Sequence, residues 1–233
     1  MVMKQNFPPE IIKEFLRYEL NTYLTGRTFE QKKEMPLYQV EGQGYIHYRK
    51  GSLVMYALQD YISEDSVNAA LKRFNQDWAF KEAPYPTSKD LIKYYREVTP
   101  DSLQYIITDM FETITLFENK TTEAEYEKIS DSEYVVDLTV NTIKYQADSL
   151  GNEEEQVLKD WIDIGIFTED SKGKDSLIYL KKHKISQEEN SYTLTIGAKP
   201  TKAGIDPINK LIDRNPKDNV KTVEEKEEEK PES

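Results

Sequence analysis

The chain has 233 residues, of which 37% are hydrophobic and 32% charged, enough for one or two domains with a real core. The absence of cysteine excludes disulfides and thiolate metal sites, and the net charge of −12 argues against nucleic-acid binding, which needs clustered Lys and Arg. No run of about 18 apolar residues is present to span a membrane, and residues 1–9 lack the apolar stretch of a secretory signal.

Two textures follow one another. From residue 9 to 112 apolar positions recur at helical spacing; from 113 to 204 they alternate. The first helix is expected over 9–24, with Ile12, Phe15, Leu16, Leu20, Tyr23 and Leu24 on one face, Pro9 in its first turn and Gly26 as its stop. A loop over 27–42 leads into a helix over 44–62. Ser63 and Asp65 then cap a helix carrying Val67, Ala70, Leu71, Phe74 and Trp78. After the Pro-rich loop 82–87, Thr87 and Asp90 form a variant capping box before Leu91, Ile92 and Tyr95. Thr99 is the expected N-cap of the last helix, with Pro100 at its first position.

The second half reads as strands. Residues 133–140 place Tyr134, Val136, Leu138 and Val140 on one face, and 161–167 do the same with Ile162, Ile164 and Ile166. Residues 177–180 and 191–196 continue the pattern, separated by turn signals at 150–152, 172–174 and 188–190. The expectation is an α+β chain: helices over 1–112, a small antiparallel β-sandwich over 113–204, then an extended segment and a disordered acidic tail over 205–233.

Chemistry is sparse. Only His47 and His183 are present, and there is no H-E-x-x-H, P-loop, G-x-G-x-x-G or G-x-S-x-G. One segment stands out, EGQGYIHYRKGSLVMYAL over 41–58, where a loop turns into a helix with Tyr48, Lys50 and Gly51 at its start. By itself this pattern fits a tyrosine that only packs the start of a helix.

The run from Tyr48 to Gly51, followed by a small residue and an apolar helix, resembles the Y-x-K-G segment of the M1 (gluzincin) zinc aminopeptidases. Further similarities follow in family order: 65–71 with Phe74, Tyr85 to Thr87 with Asp90 and Leu91, and Pro100 to Phe111. Met1 to Lys4 resemble the end of the helix that carries the third zinc ligand. The sandwich, with KAGIDP at 202–207 and LIDR at 211–214, resembles the C-terminal domain of a bacterial subgroup often appended to a permease-like membrane region.

The resemblance, over about residues 1–222, implies the helical C-terminal part of a thermolysin-like catalytic domain. It implies zinc in the intact enzyme and a peptide substrate cleaved at its free N-terminus. Tyr48 is then the transition-state stabiliser, donating to the oxyanion, and Tyr45 is a candidate for lining the same cleft. The family's zinc ligands, general-base Glu and amine-binding segment have no counterpart here, so this chain alone is expected to hold no zinc and to be inactive without the missing N-terminal catalytic segment.

His47 is expected to point away from Tyr48, Lys50 to be structural, and His183 to be an exposed strand position. Two other readings compete: a non-catalytic helical-plus-sandwich module that binds protein or peptide, and a carbohydrate-binding sandwich resting on Trp161 and the tyrosines. The parent is expected to be membrane-associated in a bacterium.

Overall fold

A computed structural model describes residues 6–226 and shows an α+β architecture. Helix α1 (Pro9–Thr28) starts at Pro9, whose missing N–H leaves one donor fewer to satisfy in the first turn. Gly26 does not stop it. The helix runs on to Thr28 because the Tyr45 ring lies where a Cβ on Gly26 would sit, at 2.5 Å, so this glycine serves a close approach and not a turn. A π-helical turn, Tyr45–Lys50, leads directly into α2 (Gly51–Ile62). Ser63 caps α3 (Glu64–Trp78) by accepting the Ser66 N–H. The capping box of Thr87 and Asp90 opens α4 (Ser88–Val98).

At the next helical start the cap is Pro100, not Thr99. The Thr99 hydroxyl turns back to the Tyr95 carbonyl at 2.7 Å, closing α4 instead. A short α5 (Gln104–Ile107) and a second π-helical turn, Thr108–Glu112, end the helical part.

Strand β1 (Ile114–Ser130) pairs antiparallel with β2 (Glu133–Ala147) along almost its whole length. The far edge of β2 is shared by β3 (Glu153–Gln156) and β6 (Glu189–Ile196). The second sheet runs β5 (Asp175–Ile185), β4 (Asp160–Glu169), β7 (Lys202–Ile205), β8 (Val220–Thr222), all antiparallel. The two sheets close one core, with Val136, Leu138 and Val140 of β2 against Ile162, Ile164 and Ile166 of β4.

The other face of β4 is buried too. Gly165 has Pro207 Cγ at 2.5 Å from where its Cβ would be, so the segment after β7 crosses directly over the strand. A second core joins Ile12, Leu16, Leu20 and Tyr23 of α1 to Leu53, to Ile114 and Leu116 of β1, and to Ile208 and Ile212. A third fills the space among α2, α3, α4 and the second π-turn.

The segment after residue 204, expected as an extended lead into a tail, is instead buried without a break through Asp213. Val223 is also buried, and β9 (Glu224–Glu225) lies parallel to β1. Lys210 explains why this segment belongs inside. Its ammonium meets Asp163 of β4 and, at 2.6 Å, Asp60 of α2, while Lys182 of β5 pairs with the same Asp60. Alternation alone gives no sign of this, because Ile205, Ile208, Leu211 and Ile212 enter the two cores without a strand period and Lys210 pairs with distant carboxylates. Met1 to Lys4 and tail residues 227–233, named above, lie outside the described residues.

Candidate functional site

The Tyr45–Lys50 turn sends its side chains to both surfaces of the wall it forms. In a π-turn each residue advances by less than in an α-helix, so neighbouring side chains splay differently from ordinary helical spacing. Tyr48 projects outward and is 70% exposed. Its ring lies 4.2 Å from that of His47, centroid to centroid, so His47 shares the face of Tyr48 and does not point away from it. Sequence adjacency misleads here because both side chains are exposed and free to stack at the start of the helix.

Tyr45 faces the other way. Its hydroxyl donates to Glu30 at 3.1 Å, its ring stacks 6.0 Å from Tyr23, and Gly26 receives it. Burial first, then Glu34 and Glu30, raise its pKa well above the usual tyrosine value. Tyr23 donates to Glu34, which Arg27 also holds at 2.6 Å. Tyr45 is therefore part of an internal polar network and does not line a cleft with Tyr48.

Arg49 binds Glu19 at 2.9 Å and lies over the Tyr18 ring, and Ser52 donates to the other Glu19 oxygen at 2.9 Å. These bonds pin the start of α2 to α1 and orient Tyr48. Lys50 turns inward and is 1% exposed. Its ammonium donates to the Thr113 carbonyl at 3.3 Å, tying the first π-turn to the end of the second. Burial depresses its pKa to about 8, with Glu34 opposing that shift. Behind it lies a cavity of about 30 Å³, room for one or two waters, bordered by Lys50, Val54, Tyr105, Met110, Phe117 and Ile212.

His183 is half-buried, not the exposed position expected. It bonds the Tyr179 hydroxyl at 2.8 Å and lies edge-on to Tyr192, at the rim of the sandwich. Burial and Lys181 lower its pKa. Trp161 is 37% exposed, and its backbone is held at both ends: its N–H donates to Tyr105 at 2.9 Å and its carbonyl accepts from Tyr61 at 2.5 Å.

The two histidines thus sit in different surroundings, and among the described residues no three His, Cys, Asp or Glu side chains gather to hold a metal. The described residues do not offer the ligand set that zinc requires. Among the described residues no helix is long and apolar enough to cross a membrane. Neither a family model nor a curated protein matches the chain.

Lys50 is structural, as expected, but Glu19, which holds Arg49 and Ser52 beside Tyr48, carries no local signal of that role in the sequence. Acidic residues in an acidic chain read as solvated surface, and only the 34-residue reach from Glu19 to the next helix brings Arg49 and Ser52 onto it. That figure spans Glu19 to Ser52, both ends counted.

Proposed function

We propose that this chain is the C-terminal part of an M1-type zinc aminopeptidase, hydrolysing the peptide bond next to a free N-terminus, with thermolysin-like helices continued by a β-sandwich. In the intact enzyme, zinc bound by residues outside this sequence would supply the Lewis acid. The contribution of this chain is Tyr48, whose hydroxyl donates to the oxyanion that develops at the scissile carbonyl.

The observation that carries the reading is the placement of Tyr48. It stands on the π-helical turn that leads into α2, 70% exposed, while Arg49, Lys50 and Ser52 around it are committed to holding the turn. A rigid base and a free-standing phenol suit a donor that must meet a transient charge without reorganising. Ile11 and Tyr18 are also exposed, and their spacing of seven puts them on one face of α1, which suits cover by further polypeptide.

The test begins with the coding sequence ahead of Met1. The reading expects H-E-x-x-H followed about twenty residues later by a Glu, the spacing of a helical zinc site. Expressed together with that segment, the chain should release amino acids from aminoacyl anilides, and chelation should stop it. Upstream sequence without a metal motif favours the non-catalytic binding module.

A further inference from the structure

Most side chains of the π-helical turn Tyr45–Lys50 are committed to contacts within the fold. Ile46 is fully buried, Lys50 reaches the Thr113 carbonyl, and Tyr45 bonds Glu30. Arg49 lies back along α1, on Glu19 and over the Tyr18 ring. That leaves His47 and Tyr48, adjacent in sequence and both exposed. An α-helix would set them about 100° apart around its axis. The wider π-turn closes that angle, and the two rings meet with centroids 4.2 Å apart and planes inclined at 49°.

Among the described residues no hydrogen bond and no other ring contact holds the Tyr48 side chain. Its backbone is set by the turn, but χ1 still has staggered wells to choose among, and χ2 turns the ring within each. Arg49, Lys50 and Ser52 fix the base from which the side chain springs, and none of them bonds the phenol. The contact that selects one direction for the ring is the imidazole of His47.

We infer that His47 is a positioning residue for Tyr48: its ring, packed on the phenol, keeps the Tyr48 hydroxyl pointing where it meets the developing oxyanion. The inference rests on the aminopeptidase reading of Tyr48. An oxyanion donor gives its full advantage only when it already stands in place as the charge develops. A phenol free to swing loses the part of that advantage that comes from orientation. The contact is one of ring against ring, so it needs an aromatic side chain at position 47 and not a titratable one.

The experiment reads Tyr48 in two ways. In the chain itself, NMR measures its χ1 couplings and the ring-current shift of its ring protons. The wild type should show one dominant χ1 well and shifted protons. His47→Ala should average the couplings and lose the shift, while His47→Phe keeps both. Residue 47 is exposed, so all three should melt at nearly the same temperature. In the chain joined to the segment encoded ahead of it, His47→Ala should lower kcat on an aminoacyl anilide by about three- to tenfold, as one productive orientation is diluted among the χ1 wells and χ2 rotations. KM should barely change, and His47→Phe should restore kcat. Tyr48→Phe, made alongside, separates the two claims. A normal kcat in Tyr48→Phe sinks the aminopeptidase role of Tyr48 and this inference with it. A low kcat there, with a wild-type kcat in His47→Ala, overturns the positioning role alone. Averaged Tyr48 couplings in the wild-type chain overturn it as well, whatever the kinetics.

Discussion

Tyr48 and Tyr45 are three residues apart on one turn, yet they invite opposite experiments. Tyr48→Phe keeps the exposed ring and its contact with His47, so stability should change little. In the intact enzyme it should lower kcat by about 10²–10³ with KM nearly unchanged, the usual cost of one lost oxyanion donor. Tyr45→Phe removes a bond to Glu30 inside a polar network and should cost about 1 kcal/mol of stability, with little direct effect on kcat.

Lys50 carries a pH signature. Its folded pKa of about 8 lies below the 10.5 of the unfolded chain, so the unfolded state binds more protons between those values. Its contribution to stability should therefore rise with pH from about 8 to 10.5, by at most about 3 kcal/mol. Lys13 is depressed in the same direction, mainly by burial, so the informative quantity is the difference between wild type and Lys50→Met. Urea unfolding across that window should give a flatter pH profile for the variant. Parallel profiles would show that Lys50 is not the group responsible.

Among the elements, the helices were the most legible in the sequence. The Thr87 and Asp90 capping box, the Ser63 cap and the alternation of β2 all rest on local rules. What escaped reading depends on distant partners. Gly26 looked like a stop because nothing nearby shows that Tyr45 packs on it. The stretch from residue 205 to 225 looked peripheral because its buried apolar residues, Ile205, Ile208, Leu211 and Ile212, follow no strand alternation and Lys210 finds its partners on distant elements. Of the candidate site, the position of Tyr48 at a helix start was readable, but the inward turn of Tyr45 and the contact with His47 arise from the π-helical turn.

Two substitutions test these element-level contacts. Lys210→Met should destabilise the chain by about 3–5 kcal/mol, because it leaves Asp163, 4% exposed, without its closest cation. Gly204→Ala should cost about 1–3 kcal/mol and weaken the β7–β8 pairing, because the added methyl collides with the Asn219 carbonyl. Urea unfolding measures both.

At the scale of the whole molecule, the helical part and the sandwich share a core. Ile114, Leu116, Ile208 and Ile212 pack with α1 and Leu53, and the Lys210 cluster ties α2 to β4. The two parts should therefore unfold together. Trp78 reports on the helices and Trp161 on the sandwich, so single-tryptophan variants should give coincident urea transitions. Separate midpoints would mean that the shared core is too weak to couple them.

The most direct test of the account joins this chain to the segment encoded ahead of it and compares wild type with Tyr48→Phe on an aminoacyl anilide. The account predicts chelator-sensitive hydrolysis by the wild type and a fall in kcat of about 10²–10³ in the variant, at unchanged melting temperature. Wild-type kcat in Tyr48→Phe, or no hydrolysis by the joined protein with metal supplied, would contradict it.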